Sequence, residues 1–323
     1  MGSLARRYVS RITTTTLVLA AASAGLMANG IANASATGST PAPGVVRAVG
    51  SGAQQTARSF WTRSRMAAAT PLSGGATGGA PDGVKASPQA QSSATPEPPP
   101  GTPTATLFNG VPTVGALFFT TGADAHFCTA SVVNSLPGDL ILTAAHCVYS
   151  ASGYSGNMEF VPGYHDGIQP YGAWPVKTVT VSQGWAQSQN QNLDFAFLTV
   201  GPPPGTRRPI QRVTGGLWLG INLPYAEHIE VIGYNDTDNG PVKCATNSFE
   251  FEPSQMEFYC HDYWDGTSGG PWIVHYNGHR GTGVVFGVIG GYEQGGDYEW
   301  ASYSVRFSWP TLDLFLQATR AAL

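Results

Sequence analysis

The chain has 323 residues, of which 42% are apolar and only 11% charged, and its 41 Gly and 24 Pro argue against a mostly helical protein or a coiled coil. The formal charge of −4 is unevenly spread: residues 1–106 hold eight of the 16 basic residues but two of the 20 acidic ones, leaving 107–323 at −10. A region that acidic is a poor electrostatic partner for nucleic acid or an anionic membrane.

Residues 1–36 read as an export signal: Arg6, Arg7 and Arg11 precede an apolar stretch from about Ile12 to Met27, and small residues end at Ala32-Asn-Ala-Ser-Ala36. Overlapping A-x-A sites place cleavage after Ala34 or Ala36, with either the general or the twin-arginine route. An uncleaved anchor fits less well, since four consecutive Thr at 13–16 interrupt a run that is already short for a membrane span. From Thr37 to Thr106, 51 of 70 residues are Gly, Ala, Ser, Thr or Pro, a composition that buries too little apolar surface to offset its ordering entropy. The segment is therefore expected to be a disordered pro-segment or linker, with at most a local helix around Thr56–Ala69.

The compact region, 107–323, shows eleven short apolar runs: 114–120, 129–133, 139–145, 158–161, 176–181, 194–200, 228–233, 256–260, 271–276, 283–290 and 300–307. Punctuation such as Asn239-Gly-Pro241 and Asn277-Gly278 makes this an all-β pattern of barrel or sandwich type. Only the end reads as helix: Trp309-Pro310 suits a helix start, and Leu312, Phe315 and Leu316 then share one face. All four cysteines, 128, 147, 244 and 260, lie in this region. Three disulfide pairings are possible; the sequential one closes two modest loops. A metal site using His146 beside Cys147 or His261 beside Cys260 is the weaker alternative, because no C-x-x-C pair is present and an oxidising compartment favours bridges.

Three segments carry the chemistry: Leu142-Thr-Ala-Ala-His-Cys147, Asn192-Leu-Asp-Phe-Ala-Phe-Leu198 and Asp265-Gly-Thr-Ser-Gly-Gly-Pro271. Singly, His146 reads as a core histidine, Asp194 as a turn acid and Gly266–Pro271 as a tight loop. Together they supply a nucleophile, a base, an orienting carboxylate and backbone N–H donors, which is what acyl transfer requires. Glycines around Ser268 permit the backbone that points the Gly266 and Ser268 N–H groups at one spot.

These segments resemble the trypsin/chymotrypsin-like serine proteases, in their secreted bacterial branch, across about residues 110–323. His126-Phe-Cys-Thr-Ala-Ser131 looks like the first-barrel cysteine segment, and the chain order His, Asp, Ser matches the general template for this triad. The resemblance implies two antiparallel six-stranded barrels with a C-terminal helix and a Cys128–Cys147 bracket around the histidine. It also implies His146 as general base and then acid, Asp194 as its orienter, Ser268 as nucleophile, Gly266 and Ser268 N–H as oxyanion hole, and no cofactor or metal. The substrate pocket is expected between Asp262–Gly266, Val288–Gly291 (Val288, Ile289, Gly290, Gly291) and Ala301–Tyr303. Asp262, six residues before Ser268, stands where trypsin-like members place the carboxylate that binds Lys or Arg, although the loop lacks the usual neighbouring cysteine.

A second departure is Thr267, where animal members carry the aspartate that pairs with a new N-terminus. The domain is accordingly expected to need no N-terminal insertion, and 37–106 to be removed or to act as a tether. The resulting expectation is a monomeric, extracellular serine endopeptidase acting on proteins or peptides, without nucleic acid and without membrane insertion after signal cleavage. A non-catalytic exported binding module on the same fold and an esterase-like hydrolase are the alternatives. Trp174, Trp185, Trp218, Trp264 and Trp272 read as core or pocket walls.

Overall fold

A computed structural model describes residues 44–72, 96–236 and 238–323. The export signal expected over 1–36 lies outside the described residues.

Twelve strands build two barrels of the same design. The first uses β1 (Val114–Thr121), β2 (Asp124–Val132), β3 (Leu140–Thr143), β4 (Gly156–Pro162), β5 (Trp174–Ser182) and β6 (Ala196–Val200). Hydrogen bonding runs β1-β2-β3-β6-β5-β4 and returns to β1, with β5 closing on β4 through Trp174↔Phe160. The second uses β7 (His228–Tyr234), β8 (Pro241–Glu252), β9 (Gln255–Tyr259), β10 (Pro271–Asn277), β11 (Thr282–Val288) and β12 (Ala301–Val305). It repeats the cyclic order, β12-β9-β8-β7-β10-β11. Its last seam is narrow: Val288 N–H donates to Ser304 Oγ (2.9 Å) and Gly290 N–H to the Tyr303 carbonyl (3.0 Å).

Alternation along the strands decides what each barrel encloses. Leu117 and Phe119, Ala130 and Val132, Val179 and Val181, and Ala196 and Leu198 fill the first interior. The opposite parity, Ala116, Phe118, Leu142 and Phe197, is equally buried, because it packs against the second barrel, the C-terminal helix and residues 61–66. This double coverage explains why the strands read as continuous apolar runs rather than alternating ones. Ile229, Val231, Phe258, Trp272 and Phe286 form the second interior. The terminal helix spans Trp309–Ala321, starts in a Ser308/Thr311 capping box and buries Leu314 and Ala318.

β8 was not among the eleven expected strands. Its buried positions Val242, Cys244 and Ser248 are separated by exposed ones, and it is the partner of both β7 and β9. Asn239-Gly-Pro241, expected as punctuation, leads directly into it.

The larger difference concerns the expected linker, because residues 44–72 fold onto the first barrel. Gly44–Ala48 pairs antiparallel with β5, helices span Ser51–Phe60 and Arg63–Ala67, and Thr70–Pro71 pairs parallel with His126–Phe127. The small-residue composition hides a few anchoring groups. Trp61 is 5% exposed, stacks near Phe118 with ring centroids 5.3 Å apart, and donates its indole N–H to the Asn157 carbonyl. Met66 and Ala57 are also buried, and Arg58 donates to the Pro202 carbonyl (2.7 Å). Helix Ser51–Phe60 lies over β4, where Glu159 is 2% exposed and burial pushes its carboxyl up to about 7, the positive charge of Arg58 acting in the opposite direction.

The disulfides are Cys128–Cys147 and Cys244–Cys260. The sulfurs of Cys128 and Cys147 cluster with a nitrogen of His146, but the bridge consumes both thiols. Among the described residues no helix is long and apolar enough to cross a membrane.

Candidate active site

His146 sits in the turn after β3, Asp194 closes a short 3-10 turn before β6, and Ser268 precedes β10, so the fold brings all three to the seam between the barrels. Asp194 is fully buried and accepts three N–H groups: Oδ1 takes the His146 backbone N–H (2.9 Å), while Oδ2 takes His146 Nδ1 (2.8 Å) and the Gly291 backbone N–H (2.9 Å). A carboxylate held by three donors fixes the imidazole with its proton on Nδ1 and leaves Nε2 as the acceptor. His146 Nε2 is buried and has no hydrogen-bond partner among the described residues.

Ser268 is placed beside it by its own backbone. Its carbonyl accepts the Thr129 N–H (2.8 Å) and lies 4.0 Å from Cys147 Sγ, in the residue next to His146. Two glycines make this approach possible. Gly269 has φ +80°, and a Cβ there would run into the Thr129 carbonyl and the Thr143 hydroxyl. Gly266 has φ +94°, with the Phe127 ring and the Tyr234 carbonyl occupying the Cβ position. The Gly266 carbonyl accepts Thr129 Oγ1 (3.0 Å). The N–H groups of Gly266 and Ser268 have no protein acceptor among the described residues. Thr267 is buried and its hydroxyl donates to the Trp264 carbonyl (2.8 Å), so this loop is tied to itself at the position where a carboxylate would await an ammonium.

A cavity of about 300 Å³ opens beside Ser268, walled by Tyr263, Trp264, Ile289, Ser302 and the segment 294–299. Of the three stretches expected to wall the substrate pocket, Tyr263, Trp264 and Asp265 of the first, Ile289 of the second and Ser302 of the third do so. Val288 and Ala301 are buried in the second barrel, Gly290 is engaged with Tyr303, and Gly291 serves Asp194. Asp262 is exposed at φ +67°, its N–H donating to Glu299 Oε2 (2.6 Å) and its carbonyl accepting from Asn235 (2.7 Å), and it does not line the cavity. The carboxylates that do are Asp265, Asp297 and Glu299, with Glu299 also paired to His261 Nδ1 (2.9 Å). Nearby, Glu293 is raised above its ordinary value, by burial first and also by the charge of Asp297.

Sequence reasoning missed Thr129, which holds the Ser268 loop, and Asn235, which is 1% exposed and fastens that loop through the Trp264 N–H (3.0 Å) and the Asp262 carbonyl. Thr129 lies inside the quoted His126–Ser131 segment, but no local pattern marks Asn235. Among the tryptophans, Trp174, Trp185 and Trp272 are core, Trp264 walls the cavity, and Trp218 is 66% exposed.

Two barrels with a buried His–Asp pair facing a serine loop across their seam define the chymotrypsin-type class of fold. The trypsin family profile matches residues 103–307, and the chain belongs to that family. None of the curated protein sequences compared with it matches significantly. Among solved structures, the chain is similar to the protease Anisep from Arthrobacter nicotinovorans, at 23% identity and TM-score 0.59, over 67% of this chain and all of that one. It is also similar to a thermostable serine protease, AL20, from an extremophilic microorganism (21% identity, TM-score 0.57, 64% of this chain and 97% of the other). A Glu endopeptidase follows at 17% identity and TM-score 0.55, over 68% of this chain and 98% of the other.

Proposed function

We propose that the protein is an exported serine endopeptidase that cleaves through an acyl-enzyme on Ser268. The observation that carries this reading is the buried His146–Asp194 pair, with Nε2 unpartnered among the described residues and the Ser268 carbonyl 4.0 Å from the sulfur of the adjoining Cys147. Rotation of the serine hydroxyl toward Nε2 gives the base its proton to take, and attack on a carbonyl then forms the tetrahedral intermediate. The negative oxygen of that intermediate finds the unengaged N–H groups of Gly266 and Ser268. His146, now protonated and held by Asp194, returns the proton to the leaving amine, and water repeats the sequence to release the acid.

The cavity favours a Lys or Arg side chain before the scissile bond, because Asp265, Asp297 and Glu299 line it and no basic residue does. In this reading Glu299 and Asp297 take the part that the family resemblance implied for Asp262. The unmade Ser268–His146 hydrogen bond favours one other reading, a non-catalytic module on the same fold. Fluorophosphonate labelling of the full chain, located by mass spectrometry with Ser268→Ala as control, separates them. Label on Ser268 is the expected result, and its absence would sink the enzyme reading. Cleavage-site profiling then tests the pocket: cuts after Lys or Arg that weaken in Glu299→Gln are expected, and cuts after other residues would discard it.

A further inference from the structure

A second and larger concavity, a groove of about 900 Å³, lies far from Ser268. The chain leaves it at Gly138 and runs through β3 to His146, and from Ser268 it runs through β10 to reach the groove again at His275. At about 3.3 Å per strand residue, groove and nucleophile are roughly 20 Å apart along the strands.

The charge of this groove is inverted relative to its surroundings. Residues 107–323 contain only eight basic side chains. Arg212 and Arg280 line the groove, Arg207 and Arg208 directly precede its wall residue Pro209, and among the described residues no Asp or Glu lines it. All four arginines are exposed and form no ion pair among the described residues. Asp139, the acid next to Gly138, is spent on Lys177 at 2.7 Å. The lining also holds polar groups such as Gln211 and His275, but its most exposed large side chains besides the arginines are apolar: Trp218 is 66% exposed and Leu136 83% exposed, and Pro137 and Pro209 line the same groove. An unpaired guanidinium is a planar donor fork suited to carboxylates, and an exposed indole beside an aliphatic side chain suits an apolar anchor.

We propose that this groove docks an acidic polypeptide segment carrying one bulky apolar side chain, with its carboxylates on Arg212 and Arg280 and the apolar group on Trp218 and Leu136. An extended chain of alternating acidic and apolar residues matches both features. A uniformly sulfated polysaccharide would use the arginines but leave Leu136 and the two prolines without a role. The docking is independent of Ser268 chemistry, so it is measured on the full chain carrying Ser268→Ala. The probe is a fluorescein-labelled peptide of glutamates around one phenylalanine, followed by anisotropy. Binding is expected to weaken at least tenfold in Arg212→Ala/Arg280→Ala and several-fold in Trp218→Ala, and to weaken as salt rises from about 50 to about 300 mM. All three residues are exposed, and Arg280→Glu serves as a second, charge-reversed variant that should abolish binding. Unchanged affinity in the arginine variants, no binding at millimolar peptide, or tighter binding of a heparin-derived hexasaccharide than of the peptide would each overturn the proposal.

Discussion

Replacing Trp61 with alanine asks whether residues 44–72 are a working part of the fold. The indole is 5% exposed, packs on Phe118 and Phe60 with ring centroids at 5.3 and 5.0 Å, and satisfies the Asn157 carbonyl. Truncating a buried tryptophan to alanine costs about 3–5 kcal/mol, and the orphaned carbonyl adds about 1 kcal/mol. If residues 44–72, a strap across the first barrel, stay docked over the void the indole leaves, the loss is global. At about 2–4 °C per kcal/mol for a domain of this size, the melting midpoint should fall by roughly 15 °C. If the strap instead lets go, the loss cannot exceed its docking free energy, and the midpoint falls less. Arg63 and Arg65 then become substrates for an added protease. Calorimetry and timed digestion, both on the Ser268→Ala background to prevent self-cleavage, distinguish the two. A midpoint and a digestion rate at Arg63 and Arg65 both equal to those of the parent would refute the reasoning and restore 44–72 to the status of a linker.

Asp194→Asn should lower kcat about 10⁴-fold with little change in KM, because any orientation of the amide sets an N–H against one of the three N–H donors and disturbs the imidazole tautomer. Steady-state hydrolysis of a peptide amide checks this, and a loss under tenfold would mean His146 is not the base. Gly266→Ala should cost at least 10²-fold in kcat, since φ +94° and the Phe127 ring leave no room for Cβ; burst kinetics would place the loss in acylation. Glu159 holds its proton in the folded state up to about pH 7 but releases it near 4.5 when exposed. Between those values the native state binds more protons, so this group makes stability fall as pH rises, by at most about 3 kcal/mol. Glu159→Gln should flatten that slope in urea titrations between pH 5 and pH 8, and parallel slopes in the two proteins would contradict it.

The segments that hold His146, Asp194 and Ser268 stood out in the sequence because their neighbours are constrained in sequence as well as in space. A buried strand must precede His146, an apolar one must follow Asp194, and glycines must flank Ser268. Asp262 shows the limit of the same method. Matching a family position six residues before Ser268 locates a place in the loop but not its conformation, and a left-handed φ with bonds to Asn235 and Glu299 takes that residue out of the cavity lining. The strap was illegible for a different reason. Its order comes from Trp61 and Met66 meeting a surface built some 50 to 100 residues later, and composition over a window cannot register such a contact. β8 was lost to its mixed exposure, which lacks a sustained apolar run.

Thr129, a residue of the first barrel, acts on the second at three points: its N–H holds the Ser268 carbonyl, its hydroxyl holds the Gly266 carbonyl, and the same hydroxyl accepts the Tyr234 N–H (2.8 Å). Thr143, also in the first barrel, anchors the Thr129 carbonyl in turn (2.7 Å). Mechanically, then, the Ser268 loop is co-owned. Any sliding of one barrel over the other turns the peptide planes of Ser268 and Gly266, so the shape of this loop reports directly on the alignment of the two halves, and neither half can hold it by itself.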